Sequence, residues 1–364
     1  MHFVKSFVYF VLKKNHQQRA QSQDKNAEHA KMKKRNLAIA VASGIGAAVA
    51  VKLLTRAKTV VWDEVADYVP HSDHSHFINV DGARLHYQEF GELTNPTVVL
   101  LHGYTASLFV WHKVAPQLAD AGFHVIAVDL VGFGYSEKPR WFDYSIQSQA
   151  RMVSRFMNRL GIGRATLVGS SYGGAVAMTL CLDYPEFVEK LVLLDAVCND
   201  EVLTHPILRL AAIRGVGEVI TPFLVDSRAM MRFRMRGTLS PANHHLITGD
   251  RISNVLRPLT AADGHHSVLA TSRNWSANRI EQDAHMINQP TLIIWGEEDH
   301  VIGIHNGYSL HDSILNSRFV ILKKCGHVPA EEKSEIVSEL VTEFCRDKKG
   351  RIGVTESEEL RFEV

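Results

Sequence analysis

Cysteine is scarce in this chain. Four residues in 364, Cys181, Cys198, Cys325 and Cys345, are too few and too scattered for a disulfide scaffold. None forms a C-x-x-C pair, so redox and zinc motifs are absent, and all four read as buried free thiols. Net charge is lacking too: 40 Lys and Arg against 39 Asp and Glu leave +1, without the basic footprint that nucleic-acid binding needs. With 46% hydrophobic and 22% charged residues, the composition is that of a globular protein with a sizeable core.

The amino-terminal region differs from the rest. Residues 1–36 are polar and basic, ending in Lys31, Lys33, Lys34 and Arg35. An uncharged apolar run then covers 37–51, and Leu53 and Leu54 extend it past Lys52. About 15 residues is short of the ~20 that span a bilayer. Residues 37–54 are nevertheless expected to be a membrane anchor or signal-anchor, with the following domain on the non-cytoplasmic side. The alternative is export after cleavage: from Met32 the chain shows a basic stretch, the apolar run and an Ala48-Val49-Ala50 site. A soluble intracellular protein stays open as a third reading. Residues 55–75 read as a linker, in which His71 and His74 lack partners at a metal-binding spacing.

From residue 76 strands and helices alternate. Residues 76–80 and 84–89 flank Asp81-Gly82, a hairpin signal. Continuous apolar runs follow at 97–101, 124–128, 165–168, 191–194, 291–295 and 318–322. Such runs predict buried parallel strands, and 109–121, 146–160, 172–183 and 334–344 predict the helices between them. The expected fold is α/β: a mostly parallel sheet of about eight strands with a helical cap insertion. The cap is expected over 198–284, where no strand pattern occurs. The core is then 76–197 and 285–345, and 346–364 is a charged tail.

Chemistry concentrates at the strand ends. Gly169-Ser170-Ser171-Tyr172-Gly173 is a G-x-S-x-G pattern between a strand and a helix, which predicts an exposed nucleophilic Ser171. A serine needs a base, and the base needs an orienting acid. Asp299 follows the seventh strand and His327 the eighth, in the order Ser…Asp…His. Glu297, Glu298 and Asp195 remain alternative acids. Ser170 is a nucleophile only outside the pattern's register. The backbone N–H groups of Tyr104, after His102-Gly103, and of Tyr172 are the expected oxyanion donors. No metal or organic cofactor is required.

These motifs, with the Asp129–Ser136 loop, Trp295-Gly296 and Gly326-His327, resemble the Ser-type, esterase- and lipase-like members of the α/β-hydrolase superfamily. The resemblance runs from about residue 76 to 345. It implies a serine hydrolase cleaving carboxylic esters, lipid-like ones among them, with a small-molecule substrate and no nucleic-acid partner. Ser171 instead of Asp argues against epoxide hydrolases and haloalkane dehalogenases. Carbon–carbon hydrolases of ring-cleavage pathways usually carry Asn before the nucleophile and Trp after the histidine, where this chain has Ser170 and Val328. That activity is the alternative, and a non-catalytic ligand-binding protein is another.

Overall fold

The computed structural model describes residues 31–33, 35, 59–201, 209–210 and 212–347. Eight strands form one sheet: β1 (Ser75–Val80), β2 (Ala83–Phe90), β3 (Thr97–Leu101), β4 (His124–Val128), β5 (Ala165–Ser170), β6 (Val188–Leu194), β7 (Thr291–Gly296) and β8 (Ser317–Leu322). Their spatial order is β1-β2-β4-β3-β5-β6-β7-β8. β2 runs antiparallel to both its neighbours, and every other pairing is parallel. The β1–β2 turn has Asp81 and Gly82 at φ 47° and 87°, the left-handed pair that a tight hairpin requires.

The apolar runs are continuous because both sheet faces are covered. Alternate residues of one strand enter different cores. Val99, Leu101, Leu167 and Leu193 face one cluster with α2 (Ile146–Arg159) and α3 (Tyr172–Asp183). Val98, Leu100, Val168 and Val192 face the other, against α1 (Val114–Asp120) and α11 (Ser334–Arg346). The predicted helix over 109–121 divides into a 3-10 turn at Leu108–Trp111 and α1.

Between β6 and β7 the described residues are helical: α4 (Val216–Val225), α5 (Arg228–Thr238), α6 (Gly249–Leu259), α7 (Gly264–Arg273) and α8 (Asn278–Asp283). Ser227 and Thr248 cap α5 and α6 by accepting the Met230 and Arg251 amides. Met231, Met235, Ile252, Leu256 and Val268 join the first core cluster, so this helical segment packs as part of the domain. α9 (His305–Ser313), between β7 and β8, and the one-turn α10 (Pro329–Glu332) complete the order.

Two expectations at the amino terminus need correction. The anchor or signal segment, 37–54, lies outside the described residues, and so does the tail beyond 347. Among the described residues no helix is long and apolar enough to cross a membrane. That overturns the single-pass anchor with the domain on the non-cytoplasmic side. The physical reason is the one visible in the run itself: about 15 apolar residues ending at Lys52 fall short of the ~20 required. The second correction concerns the linker. From residue 59 it is docked rather than solvated: Trp62 packs on Phe77 and His86 at ring distances of 5.1 and 4.9 Å. The Gln88 side chain donates to the carbonyls of Pro70 and His71.

Candidate active site

The strand register sets the geometry of the site. Leu101 pairs with Gly169, Ser170 with Leu194, Leu194 with Ile294 and Gly296 with Leu322. The loops leaving β3, β5, β6, β7 and β8 therefore leave one sheet edge together. At that edge Ser171 joins β5 to α3 with φ 53° and ψ −118°, a backbone conformation that non-glycine residues rarely adopt. The turn is held on both sides, since the Ser171 amide donates to Leu194 and its carbonyl accepts from Gly174 and Val197. Close approach explains the second glycine of the pattern. A Cβ at Gly173 would lie 2.2 Å from the Leu101 carbonyl oxygen.

The three residues expected to act together are in contact. His327 Nε2 lies 3.0 Å from Ser171 Oγ, and His327 Nδ1 lies 2.8 Å from Asp299 Oδ2. Asp299 is buried, and its other oxygen accepts the amides of Val301 and Ile302 at 2.7 and 3.1 Å. With the carboxylate as acceptor, Nδ1 carries the proton and Nε2 is left to accept the Ser171 hydroxyl. Glu297 is exposed, and Glu298 accepts the Ser240 hydroxyl, so neither competes for the imidazole. Ser170 ends β5 as a buried residue. Cys325 is fully buried and burial pushes its thiol far above the ordinary range, so it is no rival nucleophile.

The loop after β3 abuts Ser171. A Cβ on Gly103 would be 3.2 Å from Ser171 Cβ. Tyr172 is the first residue of α3, so its N–H has no acceptor within the helix. Tyr104 follows Gly103 in that loop, its ring centroid 6.3 Å from that of Tyr172. A buried network supports this loop. His102 Nε2 accepts the Leu130 amide, and its Nδ1 lies 2.8 Å from the Gly103 carbonyl. Burial lowers the His102 pKa, which keeps the ring neutral as that acceptor role requires. Asp129 accepts from the Leu108 and Tyr135 amides and from His86 Nδ1 at 2.7 Å. Burial works to raise its pKa, but the hydrogen bonds from His86 and the Leu108 amide help to outweigh that and hold it low.

Asp195 leaves β6 beside Asp299 and His327. It is fully buried at φ 45°; Oδ1 accepts the Gly296 amide, while Oδ2 has no hydrogen-bond partner. Burial and the neighbouring Asp299 push its carboxyl pKa well up. Asp195, Asp299 and His327 each offer a ligand atom within 4.8 Å of the others. A cation there would compete with the Asp299–His327 hydrogen bond, so the cluster is better matched to holding a proton than a metal.

The helical segment reaches this centre directly. The His327 amide donates to the Thr238 carbonyl at the end of α5 at 2.7 Å. Glu332 of α10 accepts the Gly326 and Val328 amides with Oε1, and the Ser240 amide and Asn243 side chain with Oε2. Its neighbour Glu331 forms a buried two-pronged pair with Arg251 of α6 at 2.7 and 2.8 Å. Tyr104 Oη donates to the Val268 carbonyl of α7. Sequence reasoning missed Glu331 and Glu332. Their only trace is a pair of acids one helical turn past His327, where a surface helix also carries acids.

Comparison with known proteins places the chain. A family profile described as alpha/beta hydrolase fold matches residues 96–217 and 253–334. The chain is 31% identical to the uncharacterised hydrolase YugF of Bacillus subtilis over 270 residues, 73% of this chain and 96% of that protein. It is 28% identical to a 2-hydroxy-6-oxononadienedioate/2-hydroxy-6-oxononatrienedioate hydrolase of Burkholderia vietnamiensis, covering 78% of this chain and all of the relative. It is also similar to the crystal structure of a membrane phospholipase A, a bacterial virulence factor, with a TM-score of 0.59 and 26% identity over 85% of this chain and 95% of that one. Profile, sheet order and relatives agree, and the chain belongs to the α/β-hydrolase fold family.

Proposed function

We propose that this hydrolase is a serine esterase, acting on carboxylic esters that include lipid-like ones. The observation that carries the reading is the continuous relay of Ser171 Oγ to His327 Nε2 at 3.0 Å and His327 Nδ1 to Asp299 Oδ2 at 2.8 Å. Ser171 attacks the acyl carbon as its proton passes to His327. Asp299 orients the imidazole and stabilises its charged form. The backbone N–H groups of Tyr104 and Tyr172 receive the developing oxyanion. His327 then protonates the leaving alcohol, and water attacks the acyl-enzyme by the reverse proton path. The phospholipase likeness supports an ester substrate. The test is fluorophosphonate labelling together with turnover of p-nitrophenyl butyrate. Both should vanish in Ser171→Ala, and turnover that survives that substitution overturns the assignment.

A second reading is hydrolysis of a carbon–carbon bond in a vinylogous diketone. It is favoured by the Burkholderia relative, which aligns over its full length. Ser170 and Val328 occupy the positions where such enzymes usually carry Asn and Trp, which weighs against it. Turnover of a ring-fission product without any esterase activity would establish it over the first.

A further inference from the structure

Three arginines of the helical segment pair with carboxylates. Arg251 pairs with Glu331, Arg273 with Glu218, and Arg279 with Asp183 and Asp283. Arg234 does not. On α5 its neighbours Arg232 and Arg236 are exposed, whereas Arg234 is half-buried. Its Nη2 donates to Thr105 Oγ1 at 3.0 Å, and no carboxylate of the described residues comes within ion-pair distance. Burial lowers its pKa from the ordinary arginine value, with Tyr104 acting in the opposite direction. A guanidinium partly withdrawn from water without a counter-charge is unfavourable, and an anion relieves that cost.

Its position relates that cation to the chemistry. Thr105 follows Tyr104 in the loop that abuts Ser171, and it is held at φ 57°, where a β-branched residue is strained. On the other side of Tyr104 stands Trp275, with ring centroids 5.7 Å apart, and Trp275 also packs on Tyr172 at 5.1 Å. The indole Nε1 of Trp275 is buried without a hydrogen-bond partner. The residue expected to supply one oxyanion amide is thus bordered by a cation that pairs with no carboxylate of the described residues and by a buried N–H donor without an acceptor. An unpaired cation and an unsatisfied donor match a ligand rich in acceptor oxygens, which a plain acyl chain is not.

We propose that Arg234 is the specificity residue for an anionic substrate, pairing with a carboxylate or phosphate carried by the ester. This rests on the reading of Ser171 as the acyl-transfer nucleophile. One N–H stays on Thr105 while the remaining donors of the planar guanidinium face the anion, a geometry that Arg supplies and Lys does not. Trp275 Nε1 donates to a further oxygen of the same substrate.

Two esters that differ only in a terminal charge test it: mono-p-nitrophenyl glutarate and p-nitrophenyl valerate. The wild-type kcat/KM should favour the glutarate ester, and Arg234→Gln, which keeps a donor for Thr105, should cut the glutarate-to-valerate ratio at least tenfold, mainly through KM. Arg234→Met should do the same should the Gln variant misfold. An unchanged ratio overturns the proposal. Thermal stabilisation by glutarate and by glycerol 3-phosphate needs no turnover. A shift lost in R234Q supports the site, and whichever anion gives it identifies carboxylate or phosphate. No shift with either anion, alongside equal ester ratios, refutes it. Should fluorophosphonate fail to label Ser171 while the anion shift persists and depends on Arg234, the esterase reading fails and the anion site stands.

Discussion

The carboxyl groups of Asp195 and Asp299 share one buried cluster, with an oxygen of each and a ring nitrogen of His327 within 4.8 Å of one another. Two carboxyls this close cannot both ionise at low cost. Asp299 has two amide donors and an imidazole, while Asp195 has the single Gly296 amide and an unpartnered oxygen. Asp195 is therefore the one that holds a proton. Its folded pKa lies above the unfolded value of about 3.9. The folded chain binds that proton more tightly, so this contribution to stability is complete below about pH 4 and is lost as pH rises toward the folded pKa. Asp195→Asn removes the titration. We expect the variant to be more stable than wild type at pH 7, by about 1 kcal/mol or more, with the gap closing near pH 4. Denaturant melts at the two pH values measure this, and a gap independent of pH would contradict it.

A neutral Asp195 cannot stand in for a charged Asp299. Asp299→Asn should fold and still lower kcat by about 10⁴, the scale expected when an orienting acid is neutralised. Ester turnover and the rate of Ser171 labelling by fluorophosphonate should fall together. A loss below tenfold would mean that another acid serves His327.

Glu332 fastens the amides on both sides of His327 to Ser240 and Asn243. In Glu332→Gln the new amide group confronts donors with a donor, so one side of the clamp opens. We expect kcat to fall at least tenfold with little change in KM. Glu332→Ala, which leaves several buried donors unpaired, should cost about 3 kcal/mol or more of stability. A change in KM alone for the Gln variant would place Glu332 outside the positioning of His327.

The turn at Ser171 has no room for an added methyl. Gly173→Ala brings Cβ to 2.2 Å from the Leu101 carbonyl, which is backbone and cannot swing aside. The expected result is a loss of about 3 kcal/mol, read by thermal melting, or failure to accumulate as soluble protein. Wild-type melting and activity would show that the turn relaxes freely.

How much of this was legible beforehand follows from what each feature depends on. β3 and β4 match the predicted ranges because they are continuous apolar runs bounded by turn residues, a local signal. That Ser171, Asp299 and His327 would meet was legible because each sits just past a strand end on the same sheet edge. α9 was missed: His305–Ser313 mixes polar and apolar residues without a clean helical stripe, and tertiary packing of Leu310 decides it. The docked turn at Trp62 was missed because its partners, Phe77 and His86, lie on a hairpin no local pattern connects to it. The contacts of Glu332 with Ser240 and of Arg234 with Thr105 were not legible because the partners lie 92 and 129 positions apart.

The hydrogen bond from the His327 amide to the Thr238 carbonyl limits how this chain can be recombined. Segments inserted between strands of a hydrolase core are natural targets for exchange between homologues, as if they were interchangeable lids. Here the inserted helices supply an acceptor to the loop that carries His327, so a chimera receiving a foreign segment would inherit a misaligned imidazole along with its new pocket. Substrate range can be re-engineered in this protein only with the Thr238–Asn243 stretch left in place.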